Sequence, residues 1–366
     1  MNNDIITDKQ GIVLITLFIM GSSLIIGTGS EAGKDSWIAI IIAMLFSYPI
    51  LMIYARILSL YPNRDLLDIL EYVFGKIFGR FIGLVFTWFA FHLGALVIRN
   101  FGEFINDVSI PETPEIILMI FIALLCAIGI KAGVGMLCRW SELVIVVLIF
   151  FVIISVLLLI PDMNLNNIKP IFGKGLKPIL LGSFSVFSFP FAETILFCMV
   201  FSSLSNKKSP YTIYTWGMVL GGTILFIATL TEILVLGETQ FTSVYFPSHI
   251  TVSRANIGDF VQRSEIIVAI SFLGAGFVKV YICLLGACKG VVKTFGCSDY
   301  KFIAIPIALL TVNLAHFIYE SLIEMSEWAF EIWPYYAFIF QVVLPIIVWI
   351  GAEIKHKSSK RTNIKT

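Results

Sequence analysis

The chain has 366 residues, of which 58% are hydrophobic and only 13% are charged, and its formal net charge is +1. A typical soluble domain carries about 25% charged residues, so this composition excludes a soluble enzyme, a nucleic-acid-binding protein and a disordered protein. The mean hydropathy is +0.94, and the apolar stretches are continuous and do not alternate as barrel strands do. Together these features predict an all-α polytopic membrane protein.

About ten segments are apolar and long enough to cross a membrane as helices. They are predicted at residues 11–32, 36–59, 81–102, 115–131, 140–160, 179–203, 212–236, 264–289, 302–319 and 334–354. Of the 25 Lys and Arg residues, an arrangement with the N-terminus in the cytoplasm puts 17 on the cytoplasmic side, seven outside, and Lys279 within a span. Because cytoplasmic loops are enriched in Lys and Arg, both termini are predicted to be cytoplasmic, with a basic tail at 355–366.

Three connections have features of their own. Residues 61–80 mix charged and aromatic side chains, which predicts a short interfacial helix. Residues 237–263, the longest external connection, are predicted to form a helix or lid on the membrane surface. Residues 320–333 carry four glutamates spaced to share one helical face, either as a solvated face or as a docking surface for a basic partner or a cation. These glutamates are Glu320, Glu324, Glu327 and Glu331.

Spans one and six both contain residues that disfavour a continuous helix. In span one, Gly27 and Gly29 flank Thr28, and glycine weakens a helix by about 1 kcal/mol relative to alanine. In span six, Pro190 removes a backbone donor and clashes with the preceding turn, so a new half-helix is expected to start there. The alternatives are close helix packing at the glycines and a simple proline kink.

Spans one and six are each the first helix of a set of five. The single transmembrane domain, 1–366, is therefore predicted to consist of a first repeat at 11–160 and a second, inverted repeat at 179–354. Matched broken helices in an inverted repeat are typical of a small-molecule site near the middle of the membrane. Freed amides attract a carboxylate, and freed carbonyls and hydroxyls attract an ammonium group, which fits an amino-acid zwitterion. The predicted ligand-binding residues are Gly27, Thr28, Gly29, Ser183, Ser185, Ser188, Pro190 and Glu193.

The ten spans, the GTG sequence at residues 27–29 and especially SFPFAETILF at 188–197 resemble the B subunits of spore germinant receptors, the GerAB type. The resemblance covers essentially the whole chain. It implies the amino acid–polyamine–organocation superfamily and its LeuT-like fold, a five-plus-five inverted repeat with broken helices 1 and 6. It also implies a germinant-sensing subunit in the spore inner membrane that acts with A- and C-type partner subunits.

Germinants of that family include amino acids, sugars and nucleosides, and the zwitterion argument favours an amino acid here. The alternative function is a proton-coupled amino-acid transporter of the same superfamily. A packing or channel subunit without a ligand site would leave the two breaks unexplained. No phosphate-binding loop and no clustered Cys and His occur, so neither enzymatic activity, nor a cofactor, nor a metal is expected.

Ionisable residues within spans are costly and therefore mark functional candidates. Glu193, Lys279 and Glu232 are the candidates for coupling to a proton or a cation. Glu193 either stabilises the start of a half-helix or interacts with a ligand amine or a proton. By comparison with sodium-coupled relatives of the fold, Lys279 either replaces a bound cation, pairs with Glu232 or Glu193, or extends to the interface. Glu31 is expected to cap the outer part of the first helix.

Overall fold

The computed structural model describes residues 5–108, 112–202, 204–254, 265–297 and 299–363, and these residues are nearly all helical. Within them, eight helical stretches are long and apolar enough to cross a membrane. Two further predicted spans are also helical but shorter, Asp8–Met20 with 13 residues and Ala304–Phe317 with 14. The structure therefore confirms a polytopic helical membrane protein with helices at all ten predicted positions.

The helices of the first half are α1 (Asp8–Met20), α2 (Ser36–Leu60), α3 (Leu66–Phe74), α4 (Lys76–Val108), α5 (Glu115–Ala132) and α6 (Val134–Leu159). Those of the second half are α7 (Leu176–Val186), α8 (Phe197–Val200), α9 (Ser209–Ser243), α10 (Pro247–Ser253), α11 (Glu265–Phe295), α12 (Ala304–Phe317), α13 (Leu322–Glu327), α14 (Trp333–Phe338) and α15 (Leu344–Asn363). Short 3₁₀ or π turns join several of them.

Both connections predicted to contain a short helix have one. The short helix α3 buries Leu66, Leu67, Ile69 and Leu70 and packs against α4. In the connection at 237–263, α10 forms after a bend at Gly237, where φ is +74°. Residues 255–264, with Arg263 of the charge count, lie outside the described part of the chain, as does Lys365. All four glutamates of 320–333 are exposed, as expected for a solvated face.

Several helices are longer than the hydropathy pattern predicts. Helix α4 begins at Lys76 and not at 81, and α9 continues to Ser243 and not to 236. Their additional turns carry polar residues, and hydropathy detects only the part of a helix that lies in the hydrocarbon core. The helices also differ in position, because the most apolar window is 72% buried in α4 and α11 but only 11% buried in α6. Helices α4 and α11 are therefore central, and α6 lies at the periphery.

Break one, which we define as residues 21–29, starts six residues earlier than Gly27. Helix α1 begins with a capping box between Thr7 and Gln10 and ends at Met20, and Gly21 has φ 3° and ψ −124°. A Cβ atom at Gly21 would lie 2.7 Å from Lys279 Cδ, so glycine here admits the lysine stem. Gly29 ends the break in the left-handed region, with φ +74°, a conformation that costs glycine little.

Break two, which we define as residues 187–191, interrupts the sixth span. Phe187–Phe191 form a π turn in which Phe189 is extended, with φ −135° and ψ 109°. This agrees with the steric exclusion of the residue before a proline from the α region. The prediction that a new helical segment starts at Pro190 fits this backbone, because Phe189 is the non-helical residue of the turn. Phe191 already has helical angles, with φ −64° and ψ −52°, and the chain continues through a 3₁₀ turn, Ala192–Leu196, into α8.

Candidate functional site

A cavity lies between the two breaks, and we call it the central cavity. Break one contributes Ile26 and Thr28, and the sixth span contributes Ser185, Phe189 and Glu193. Much of the remaining wall comes from α4 and from the connections before α10 and α14, including Leu93, Asn100, Tyr245, Tyr319, Trp328 and Trp333. A mostly apolar lining with a few polar groups is typical of small-molecule sites.

Glu193 and Lys279 form a fully buried ion pair at this cavity. Lys279 Nζ lies 2.6 Å from Glu193 Oε2, and both side chains are 0% exposed. The ammonium group also lies 4.4 Å from the ring centroid of Phe189 and 5.2 Å from that of Phe18, within cation–π range. Apart from this ion contact, the carboxylate has no hydrogen-bond partner among the described residues. The lysine therefore pairs with Glu193 and does not extend to the interface.

Break one exposes backbone donors beside the cavity. The Thr28 hydroxyl is within 3.0 Å of the carbonyl oxygens of Ser23 and Ile26, so it helps to satisfy acceptors freed by the break. In contrast, the amides of Gly27, Thr28 and Gly29 donate to no backbone carbonyl or side chain in the part of the chain that the structure describes. Three consecutive amides are thus without a partner among the described residues, and of these three residues Thr28 lines the cavity.

Ser185 links the end of α7 to the 3₁₀ turn that follows break one. It lies in the wall of the central cavity, and its hydroxyl is within hydrogen-bonding reach of the Glu31 carboxylate. Glu31 was expected to cap the outer part of helix one, but the 3₁₀ turn Ser30–Asp35 has no side-chain cap. Its carboxylate reaches the sixth span because the chain turns at Gly29.

The other predicted residues surround the breaks without lining the cavity. Ser183 donates to the Ile179 carbonyl of its own helix at 2.6 Å. Ser188 donates to Gln341 Oε1 at 3.2 Å and accepts, through its carbonyl, from Gln341 Nε2 at 2.8 Å. Five of the predicted residues therefore lie in or beside the breaks but outside the cavity wall: Gly27, Gly29, Ser183, Ser188 and Pro190. Glu232 lies in a second cavity, where it bonds Ser248 of α10.

Sequence reasoning missed several residues of the site. Asn100 lines the cavity and accepts a 3.1 Å hydrogen bond from the Tyr245 hydroxyl. Gln341, which holds break two, is 0% exposed. Each is a single amide side chain in an apolar span, and this signal could have identified both. The aromatic cover formed by Trp328 and Trp333 has no comparable signal, since tryptophan is common at membrane interfaces.

At the end of α4 and α11 that is remote from the central cavity, ion pairs hold the helices together. Lys289 Nζ lies 3.2 Å from Asp65 Oδ2 and also donates to the carbonyl groups at the end of α8. In α3, burial by itself would raise the pKa of Glu71, but hydrogen bonds from Arg80 and Lys293 outweigh it and hold this pKa below its usual value. The helix ends below the central cavity are therefore tied together.

These features define a membrane protein of the LeuT-like transporter fold. The chain superimposes on Mhp1, a nucleobase-cation-symport-1 family transporter, with a TM-score of 0.65 and 10% identity over 98% of this chain and 93% of that one. A mutant of the Eremococcus coleocola manganese transporter gives a TM-score of 0.52 and 12% identity over 95% and 85%. At these identities the likeness concerns the fold alone.

Sequence comparison identifies the family. The family described as spore germination protein matches residues 5–324. Spore germination protein KB of Bacillus subtilis is 26% identical over 98% of this chain and 97% of its own length. Spore germination protein XB of Bacillus anthracis is 22% identical over 89% and 91%. The chain belongs to the spore germination protein family, which confirms the resemblance carried by the SFPFAETILF segment.

Proposed function

We propose that this protein is the germinant-sensing subunit of a spore germination receptor and binds a free amino acid in the central cavity. The observation that carries the proposal is Glu193. Its carboxylate is buried in the wall between the two breaks, and apart from the ion contact with Lys279 neither of its oxygens has a hydrogen-bond partner among the described residues. A buried carboxylate with remaining acceptor capacity, beside unbonded backbone amides, matches both ends of a zwitterion.

In this proposal each part of the ligand has its own partner. The ligand ammonium group binds the Glu193 carboxylate, and Lys279 supplies a positive charge behind it. The ligand carboxylate binds the amides of residues 27–29, where backbone N–H groups favour an anion. An apolar side chain packs against Trp328 and Trp333, which line the cavity. The site with its ion pair is neutral, as is the zwitterion, so binding transfers no net charge into the membrane.

Binding of one molecule to both breaks links the two repeats. Such a ligand favours the arrangement of the repeats in which both of its ends are satisfied, and it shifts a pre-existing equilibrium towards that arrangement. We propose that A- and C-type partner subunits sense this state in the spore inner membrane. Both termini are placed on the cytoplasmic side by the distribution of Lys and Arg.

A proton-coupled amino-acid transporter is the second candidate. The observation in its favour is that the fold of a symporter covers 98% of this chain. The buried Glu193–Lys279 pair would then change its protonation during the cycle. The two candidates share the site and differ in whether the ligand crosses the membrane.

Two measurements on the purified full-length protein separate these candidates. The first is thermal stabilisation by each of the twenty amino acids, and the second is uptake of labelled L-alanine, or of the amino acid that stabilises most, into proteoliposomes with and without an inward proton gradient. Stabilisation without uptake supports the receptor, whereas accumulation that depends on the gradient supports the transporter. The absence of both effects with all twenty amino acids would overturn amino-acid binding.

A matched pair of serine variants tests the position of the site. Ser185→Ala removes a hydroxyl from the cavity wall, and we expect the affinity for the stabilising amino acid to fall about tenfold. Ser183→Ala removes a hydroxyl that is bonded within its own helix, so the affinity should stay at the wild-type value. Equal losses in the two variants would show that the ligand does not occupy the central cavity.

A further inference from the structure

A second cavity lies on the other side of break one. Its wall is formed by break one together with α6, α9, α10 and α11. Most of the lining is apolar, as with Val156 of α6 and Val252 of α10. Glu232 of α9 is the carboxylate in this wall, and its side chain is buried. The function proposed above does not use this group.

The two cavities share a wall five residues long. Leu24 and Ile25 line the second cavity, whereas Ile26 and Thr28 line the central cavity. Within this segment the amides of Ile25 and Ile26 both donate to the Ser22 carbonyl at 3.2 Å, whereas those of Gly27 and Thr28 donate to no backbone carbonyl or side chain among the described residues. Its conformation therefore depends on the contacts made from the two sides.

Ser248 connects Glu232 to this wall. The Ser248 hydroxyl is within hydrogen-bonding distance of both the Glu232 carboxylate and the Leu24 carbonyl oxygen. Two neighbouring threonine hydroxyls are already committed, because Thr231 and Thr251 each donate at 2.8 Å to a carbonyl of their own helix. The serine thus has one proton and two acceptors that compete for it.

The hydrogen bonds among Glu232, Ser248 and the Leu24 carbonyl have two arrangements, which differ in whether Glu232 carries a proton. When Glu232 is protonated, it donates to the Ser248 oxygen and the serine donates to Leu24, so every group is satisfied. When Glu232 is ionised, the serine donates to the carboxylate and the Leu24 carbonyl loses its donor. A buried polar group without a partner is destabilising, and so is a buried charge without a counter-charge. Loss of the proton thus weakens the hold on break one.

We propose that Glu232 is a proton-binding site that controls the conformation of break one through Ser248. Five of the charged or titratable side chains that the structure describes on the surrounding elements are engaged elsewhere. Glu238 of α9 pairs with Lys174 at 2.6 Å, Lys279 of α11 pairs with Glu193, and Glu142 of α6 lies 3.5 Å from Lys9. On α10, His249 packs its ring on Phe104, and Arg254 donates to the Val235 carbonyl.

The proton site does not depend on the proposed function. Only its effect on germinant affinity rests on that proposal, since Ile26 and Thr28 of the same segment line the central cavity. The test therefore uses the protein without any ligand. Hydrogen exchange of peptides covering residues 21–29 is measured on the full-length protein in lipid nanodiscs at pH 5.5 and 8.5, and rates are expressed as protection factors to remove the intrinsic pH dependence.

For the wild type we expect the protection of break one to fall about tenfold between the low and the high pH. Glu232→Gln should remain protected at both pH values, because the Gln amide donates to Ser248 without a titrating proton. Ser248→Ala should be poorly protected at both. Thr251→Val is the matched control in the same wall, and it should keep the wild-type pH dependence.

Two results would overturn the proposal. One is a Glu232→Gln variant that retains the wild-type pH dependence. The other is a Thr251→Val variant that loses protection as fully as Ser248→Ala. The melting temperature of each variant is measured alongside, so that local loosening of break one is separated from general destabilisation. Wild-type behaviour in Ser248→Ala, in a protein that melts normally, would also exclude the serine link.

Discussion

Glu193 and Glu232 are two buried carboxylates in the same membrane protein with different surroundings. Glu193 is 0% exposed and has the Lys279 ammonium group 2.6 Å away. Glu232 is 5% exposed, and the group that bonds it is the neutral hydroxyl of Ser248. The first is balanced by a fixed charge, and we propose that the second is balanced by a bound proton. The partner, and not the depth of burial, distinguishes the two sites.

The comparison also shows what each site is suited to do. An ion pair needs both members, because removal of either leaves a buried charge without compensation. A carboxylate bonded to a hydroxyl can gain or lose a proton with a change in only one hydrogen bond. We therefore propose that the Glu193 site recognises the ligand and that the Glu232 site responds to a change in pH.

The largest expected effect comes from Lys279→Met, which removes the counter-charge of Glu193. We expect a loss of about 3–5 kcal/mol in the free energy of unfolding, as is typical when one member of a buried pair is removed. Thermal or denaturant unfolding in detergent measures it. The double variant Lys279→Met/Glu193→Gln should recover most of this loss, and a double variant no more stable than the single one would contradict the ion pair.

The same double variant sharpens the distinction between stability and binding. With Gln in place of Glu193, the protein should fold, yet it should bind the stabilising amino acid about tenfold to 100-fold more weakly, because a charge-assisted hydrogen bond to the ligand ammonium group is lost. Equilibrium binding to the purified variant measures this loss. If a stable double variant bound the amino acid with wild-type affinity, Glu193 would not be part of the binding site.

The conformation of break one, which contains the wall between the two cavities, can be perturbed separately. In Gly29→Ala, the new Cβ would lie 2.9 Å from Val186 Cγ2 at a residue with φ +74°, so we expect a loss of about 1–2 kcal/mol in unfolding free energy. Gly27→Ala is the control, because its Cβ would be 3.4 Å from Pro247 Cγ and φ is not in the left-handed region. Equal losses in the two variants would contradict the conformation described for break one.

The smallest expected effect is that of Glu232→Gln on stability. No counter-charge is left behind and Gln can donate to Ser248, so the change in unfolding free energy at pH 5.5 should stay below about 1 kcal/mol. Denaturant unfolding in detergent, beside Glu193→Gln as the reference, measures it. A loss as large as that of Glu193→Gln would mean that Glu232 has an ionic partner.

Much of the fold follows from the sequence. Ten apolar segments, two disrupted spans and the odd number of helices per repeat lead to the observed class of fold. The exact start of break one does not follow, because a Cβ atom at Gly21 would meet not only the nearby Phe18 carbonyl but also the Lys279 stem, which comes from a helix more than 250 residues away in the chain. The glycines at residues 27 and 29 therefore predicted that span one is broken, but not the residue at which the break begins.

Less of the site than of the fold could be predicted from the sequence. Glu193, Thr28 and Ser185 lie in the wall of the central cavity, and their polar character within apolar spans identifies them. Whether Lys279 pairs with Glu193 or with Glu232 could not be decided, because both alternatives satisfied the same cost of burying charge. Ser188 and Gln341 bond each other across two helices, a contact that no spacing along the chain encodes.

The five-residue wall between the cavities has a thermodynamic consequence. If a proton on Glu232 changes the affinity of the central cavity for its amino acid by some factor, then the amino acid must change the proton affinity of Glu232 by the same factor. Binding of the proposed germinant would then be accompanied by uptake or release of protons in a weakly buffered solution. A chemical stimulus would thereby be converted, within a single protein segment, into a change in charge.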